Sequence, residues 1–189
     1  GKLRTGMKIL NLDYSGSPLR LQTPWMKMPF DPDEHENERW SICLNCEDND
    51  FGSAMKSLDE KIISIARSRS REFFKKQQVS DEFIQINYSP VLRTGGEYSD
   101  KYKCKANRNT NVFTDQGEWS DVSKLRKGDE MRIIAELRYI WVNNGKFGAT
   151  WVAKQIQFRS NSMDEMEFHD DKFGSDDSDD EEVDSVKMS

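Results

Sequence analysis

An Asn144-Gly145 dipeptide between two β-rich runs constrains this chain more than any other feature. The run before it, residues 129–142, is DEMRIIAELRYIWV, and the run after it, residues 147–158, is FGATWVAKQIQF. A type I′ turn needs positive φ at both central residues, which Asn and Gly tolerate, and its twist matches that of the flanking strands, so a hairpin is expected. The turn also sets the register. Val142 should face Phe147, Tyr139 should face Thr150, Leu137 should face Val152, Ile133 should face Ile156 and Met131 should face Phe158; these pairs are almost wholly apolar and belong in a core. The opposite face pairs Arg138 with Trp151, Glu136 with Ala153 and Arg132 with Gln157. A cation beside a large ring at a half-exposed position is either a cation–π brace or a surface on which bases stack.

The remaining chain supplies partners for this hairpin. Residues 7–14 and 19–30 read as strands around the turn Ser15-Gly16-Ser17-Pro18, and Pro24 and Pro29, which lack N–H donors, make the second an edge or bulged strand. A third strand is expected over residues 39–46. Asn49-Asp50 then caps a helix from about Phe51 to Lys76, in which Leu58, Ile62, Ile65, Ala66 and Phe73 form one apolar stripe. Lys56, Lys61, Arg67, Arg71, Lys75 and Lys76 lie elsewhere on it, as a solvated face or a phosphate-contacting one. Strands are expected again over residues 83–93, 98–106 and 112–114, with Gln116-Gly117 as a turn and residues 124–129 launching the hairpin. Three strands, one long helix and further strands make a mainly β fold. It suits a five-stranded OB-like barrel with residues 89–129 as an elaboration; the alternative is a curled antiparallel sheet packed by a helix.

Charge divides the 189 residues into two unlike parts. Residues 160–189 hold twelve Asp or Glu against two Lys, a net of −10, which leaves 26 basic and 22 acidic groups, a net of +4, on residues 1–159. The first part is expected to be one nucleic-acid-binding domain. The second has too few apolar side chains to offset the entropy of ordering and is expected to be a disordered acidic tail. Such a tether competes with phosphates for a basic groove or recruits a partner; Ser175 and Ser178, each followed by acids, are acidophilic-kinase candidates. No apolar run approaches the roughly 20 residues of a membrane span, and the first residues lack the apolar centre of a signal peptide. Three cysteines fit a reducing compartment better than a disulfide scaffold.

Two patterns bear on binding. Lys101, Lys103 and Lys105 alternate with Tyr102, Cys104 and Ala106, so in a strand the lysines share one face at steps of about 6.6 Å. Flanked by Arg93 and Arg108, they form either a backbone track for a single strand or an edge protected against aggregation. Most aromatics must be core, but Trp151 beside Arg138 and Trp25 beside Lys27 are candidates for stacking. Cys43-x-x-Cys46 is weak as a zinc or redox motif, because further ligands are scarce and residues three apart on a strand face opposite ways. No glycine-rich phosphate loop, H-E-x-x-H or G-x-S-x-G is present, so no catalytic residue, cofactor or metal is assigned.

Residues 10–14 (LNLDY), 18–30 (PLRLQTPWMKMPF), 58–62 (LDEKI) and 140–151 (IWVNNGKFGATW) together resemble a family of proteins encoded by nucleocytoplasmic large DNA viruses, over roughly residues 7 to 158. The resemblance implies a viral protein of DNA replication, recombination or repair, in the host nucleus or a cytoplasmic viral factory. It also implies a layout and acidic tail similar to phage single-stranded-DNA-binding proteins with an OB fold. The tail departs from the phage pattern, ending Val-Lys-Met-Ser where an aromatic residue stands in the phage proteins. The reading is therefore a non-enzymatic, sequence-independent single-stranded DNA-binding protein, with RNA and homo-oligomerisation left open and replication proteins as partners of the tail. Its expected contacts are Trp25, Lys27, Arg93, Lys101, Lys103, Lys105, Arg108, Arg138, Lys146 and Trp151. The second reading is an acidic-tailed interaction module, such as a histone chaperone or virion component.

Overall fold

Two fourteen-residue strands joined at Asn144-Gly145 carry the sheet, and φ at these residues is +51° and +80°, as a type I′ turn requires. The computed structural model describes residues 8–10, 13–14, 17–46, 50–95, 97 and 99–161. The first strands are β1 (Lys8–Leu10), β2 (Asp13–Tyr14), β3 (Ser17–Pro18), β4 (Arg20–Gln22), β5 (Met26–Lys27), β6 (Asp33–His35) and β7 (Arg39–Asn45). Helices α1 (Asp50–Ser68), α2 (Ser70–Phe74) and α3 (Asp81–Asn87) follow. Then come β8 (Tyr88–Ser89), β9 (Leu92–Arg93), β10 (Lys101–Asn107), β11 (Asn111–Thr114), β12 (Trp119–Ser120), β13 (Glu130–Asn143) and β14 (Lys146–Arg159). The chain is mainly β with a few helices. Among the described residues the sheet runs β1-β13-β14-β10-β7-β6 and does not close.

β14 organises the rest. One edge pairs with β13, and the other meets β8, then β10, then β11 in parallel as the strand advances. Tyr102, Phe147, Trp151, Ile133 and Ile156 meet in the core, with Ile62 and Ala66 of α1 closing over it. Phe73 and Phe74 of α2 set their rings against Phe147 at 5.4 and 5.6 Å.

Three expectations need correction. The hairpin register holds for residues 130–134 and 139–143, but between them Ala135 faces Ala153, Glu136 faces Val152 and Leu137 faces Trp151. Arg138 is an extra residue on β13 and Lys154 an extra residue on β14, so two bulges shift the register and restore it. The bulges bend a long ribbon and exchange its faces. Met131, Ile133, Ala135 and Leu137 are buried before Arg138, and Ile140 and Val142 after it. Tyr139 thus leaves the apolar face to which a straight ladder assigns it.

The single helix to Lys76 is also broken. α1 ends at Ser68, Arg69 leaves the helical region, and Lys75 ends α2 with φ +57°. Residues 83–87, the first part of a strand expected over 83–93, are instead helical, within α3. Ser80 accepts a hydrogen bond from the Phe83 N–H, and Asp81 and Glu82 occupy the first turn, where the helix dipole favours anions. The expected cap at Asn49 and all but the first two residues of the acidic segment lie outside the described residues.

Candidate nucleic-acid interface

Period two in β10 builds the basic side of the site. Tyr102, Cys104 and Ala106 are buried, while Lys103 and Lys105 are exposed on the opposite, outer face. Burial pushes the Cys104 thiol up to about 12, which keeps it protonated and inert. At the start of β10, Lys101 stands directly opposite Arg93 of β9. The Lys101 ammonium donates to the Ser99 carbonyl at 3.2 Å.

A wall and an aromatic floor complete an open groove of about 530 Å³, lined by Arg93, Lys103, Lys105, Tyr139, Trp141 and the loop from Tyr88 to Val91. Trp141 lies flat on the backbone opposite it. Its partner in the ladder is Gly148, where a Cβ would fall 2.9 Å from the indole, so only glycine leaves room for the ring. Trp141 and Tyr139 are both half-buried, with part of each ring open to solvent. The bulge at Arg138 delivers both rings to the outer face that carries the lysines.

Asp59 of α1 holds the wall. Its buried carboxylate accepts hydrogen bonds from the Tyr88 hydroxyl, from the Val91 N–H at 2.8 Å and from the Leu92 N–H at 3.4 Å. Burial raises the Asp59 pKa against the lowering effect of these three bonds. Burial, and then the Asp59 carboxylate itself, raise the pKa of Tyr88, so the phenol stays a donor.

Of the residues expected to bind, the fold brings Arg93, Lys103 and Lys105 into the groove and sets Lys101 beside it. Lys146 is exposed at the hairpin turn, opposite Asn143, which lines the groove. The stacking role of Trp151 is corrected: it is only 2 % exposed and reaches the groove from beneath, because the bulge at Lys154 shifts the alternation of β14 and turns it into the core. Its indole N–H meets no acceptor among the described residues, and packing against Tyr102 at 6.3 Å holds the ring. Arg138 does not face Trp151. It is the exposed bulge residue, and with Arg20 it donates to the buried Glu136, at 3.4 and 3.0 Å. Burial opposes ionisation of Glu136, but the Arg20 hydrogen bond, the Lys154 charge and Arg138 outweigh it and hold its pKa below the usual glutamate value.

Trp25 is braced rather than free. The guanidinium groups of Arg159 and Arg132 lie 4.3 and 5.1 Å from its ring, whereas Lys27 stands across the ladder from Glu130. Arg108 sits in the turn between β10 and β11, away from the groove lining. Two lining residues, Tyr139 and Trp141, are absent from the expected contacts. Their signals were the Trp141–Gly148 pairing implied by the turn and the change in apolar spacing from Leu137 to Ile140, which a regular strand cannot accommodate.

The comparisons fit a fold of this kind. The family described as "Family of unknown function (DUF5871)" matches residues 37–173. No curated protein matches the sequence. Among solved structures, the chain is similar to gp2.5, a single-stranded DNA binding protein encoded by bacteriophage T7, with a TM-score of 0.54 at 11 % identity, covering 75 % of this chain and 86 % of that one. It is also similar to the single-stranded DNA-binding protein of bacteriophage Enc34 in complex with single-stranded DNA, with a TM-score of 0.50 at 12 % identity, covering 82 % and 96 %. At these identities the likeness concerns the fold alone.

Proposed function

Because the chain belongs to this family of unknown function, its activity must be argued from fold and site, and we propose that it is a sequence-independent single-stranded DNA-binding protein. The observation that carries this reading is the convergence of Arg93, Lys103 and Lys105 with the part-exposed rings of Tyr139 and Trp141 in one open groove. Cations neutralise a backbone whatever its sequence, and every base has a π face for an aromatic ring, so this combination binds single strands without reading them. An open groove also suits a polymer that enters and leaves at both ends better than it suits a small molecule.

On this reading the sheet is an elaborated OB-type domain over residues 1–159, and the protein serves viral DNA replication, recombination or repair as a non-enzyme. The acidic segment 160–189 competes with DNA for the groove or recruits replication proteins. The test is titration of the full chain with an oligothymidylate, followed by tryptophan fluorescence. Binding should quench the fluorescence, weaken with salt and fall roughly 5- to 100-fold in Trp141→Ala, the range for one lost base stack. No binding at low salt, by the full chain or by a chain lacking residues 160–189, would overturn the proposal.

A further inference from the structure

A second aromatic and cationic cluster occupies the same outer face, farther along β14. Four neighbouring strands each give one side chain to a single row: Trp119 of β12 pairs with Phe113 of β11, Phe113 with Gln157 of β14, and Gln157 with Arg132 of β13. Strand spacing makes this row about 14 Å wide. The Phe113 and Trp119 rings lie 4.3 Å apart, yet Trp119 is 71 % exposed, so its contact with Phe113 leaves most of the indole in water. At the other end, Arg132 donates to Gln157 at 2.8 Å while lying over Trp25, with Arg159 over the same ring. A large ring so exposed, in line with guanidinium groups, is a placement that core packing does not require.

Resting on the proposed function, we infer that Trp119 is a second stacking platform, on which a base of the same DNA strand settles after the strand leaves the groove. Continuity and charge carry the inference. Thr150 lines the groove and Gln157 lies seven residues on, about 23 Å along β14, and the bulge at Lys154 between them shifts the alternation once, which keeps both on the outer face. The one acid placed between the clusters on β13, Glu136, lies beneath Arg20 and Arg138, so the path carries no bare negative charge there. Asp115 and Glu118, exposed at the tip of the β11–β12 turn, bound the path and direct a strand towards Gln157 and Arg132.

The test uses the full chain with two oligothymidylates, one of about 5 nucleotides that occupies the groove alone and one of about 15 that spans both clusters, within the range of sites on such folds. Trp119→Ala should leave affinity for the short strand unchanged and weaken the long one roughly 5- to 100-fold, with Trp119→Phe recovering most of the loss. Equal affinity of Trp119→Ala and wild type for the long strand overturns the inference while leaving the groove intact. So does a loss that tracks a change in sedimentation, which would make Trp119 a contact between copies of the chain. Failure of the wild type to bind either strand sinks the proposed function itself.

Discussion

Asp59→Asn probes the groove wall without touching its surface. The carboxylate accepts from Tyr88, Val91 and Leu92, and an asparagine offers one oxygen and turns an NH2 donor towards groups that are themselves donors. At least one charge-assisted hydrogen bond, worth about 1.5–3 kcal/mol, is lost, and a buried N–H is left unpaired. Relief of the desolvation that raises the Asp59 pKa returns part of this. A net destabilisation of about 2–3 kcal/mol is expected, read as a lower urea midpoint at unchanged m-value. Tyr88→Phe removes one donor only and should cost about 1 kcal/mol.

The pH dependence supplies an independent check. A carboxyl whose pKa is raised on folding adds stability below its unfolded pKa and loses that addition as pH rises through the folded value. Asparagine binds no proton, so the stability gap between wild type and Asp59→Asn should widen as pH falls from 7 towards about 4. A variant within about 0.5 kcal/mol of wild type, or a gap that narrows on acidification, would refute the assignment of Asp59 as the wall's anchor.

Gly148→Ala drives a methyl to 2.9 Å from the Trp141 indole, and overpacking of this kind costs about 1–3 kcal/mol. Its denaturation midpoint should fall, and the Trp141 emission should shift as the ring is pushed off the sheet. Glu136→Gln removes the acid between Arg20 and Arg138; with both arginines more than half exposed the expected cost is about 1 kcal/mol. Because the Glu136 pKa is lowered on folding, its contribution is present above the ordinary glutamate pKa and lost as pH falls through the folded value. Urea titrations of Glu136→Gln and wild type should therefore converge in acid, the opposite trend to Asp59→Asn.

Local signals in this chain were legible in proportion to how locally they act. Asn144-Gly145 predicts both ends of its hairpin, because the turn dictates pairing from residue to residue. The middle escapes that logic: bulges at Arg138 and Lys154 answer the curvature of the whole sheet, and they decide that Trp151 is core and Trp141 is surface. The lysine alternation in β10 is visible at once, since period two needs no knowledge of neighbours. Ser80-Asp81-Glu82 is a helix start that competes with the strand-like composition after it, and the cap prevails. Asp59 carries no local signal, for its hydrogen-bond partners lie about thirty residues away and only the packing of α1 against the loop brings them together.

The most direct measurement on the groove is the salt dependence of oligothymidylate binding by wild type and the Lys103→Ala/Lys105→Ala double variant, in otherwise identical full chains. Each phosphate contact contributes about 0.7 to the slope of log affinity against log salt on single strands. If both lysines sit on the DNA backbone, the slope should become shallower by about 1.4, with weaker binding at low salt and little change in stability. An unchanged slope in a variant that still binds would mean that the strand lies elsewhere, and that the groove between β10 and β13 is not its site.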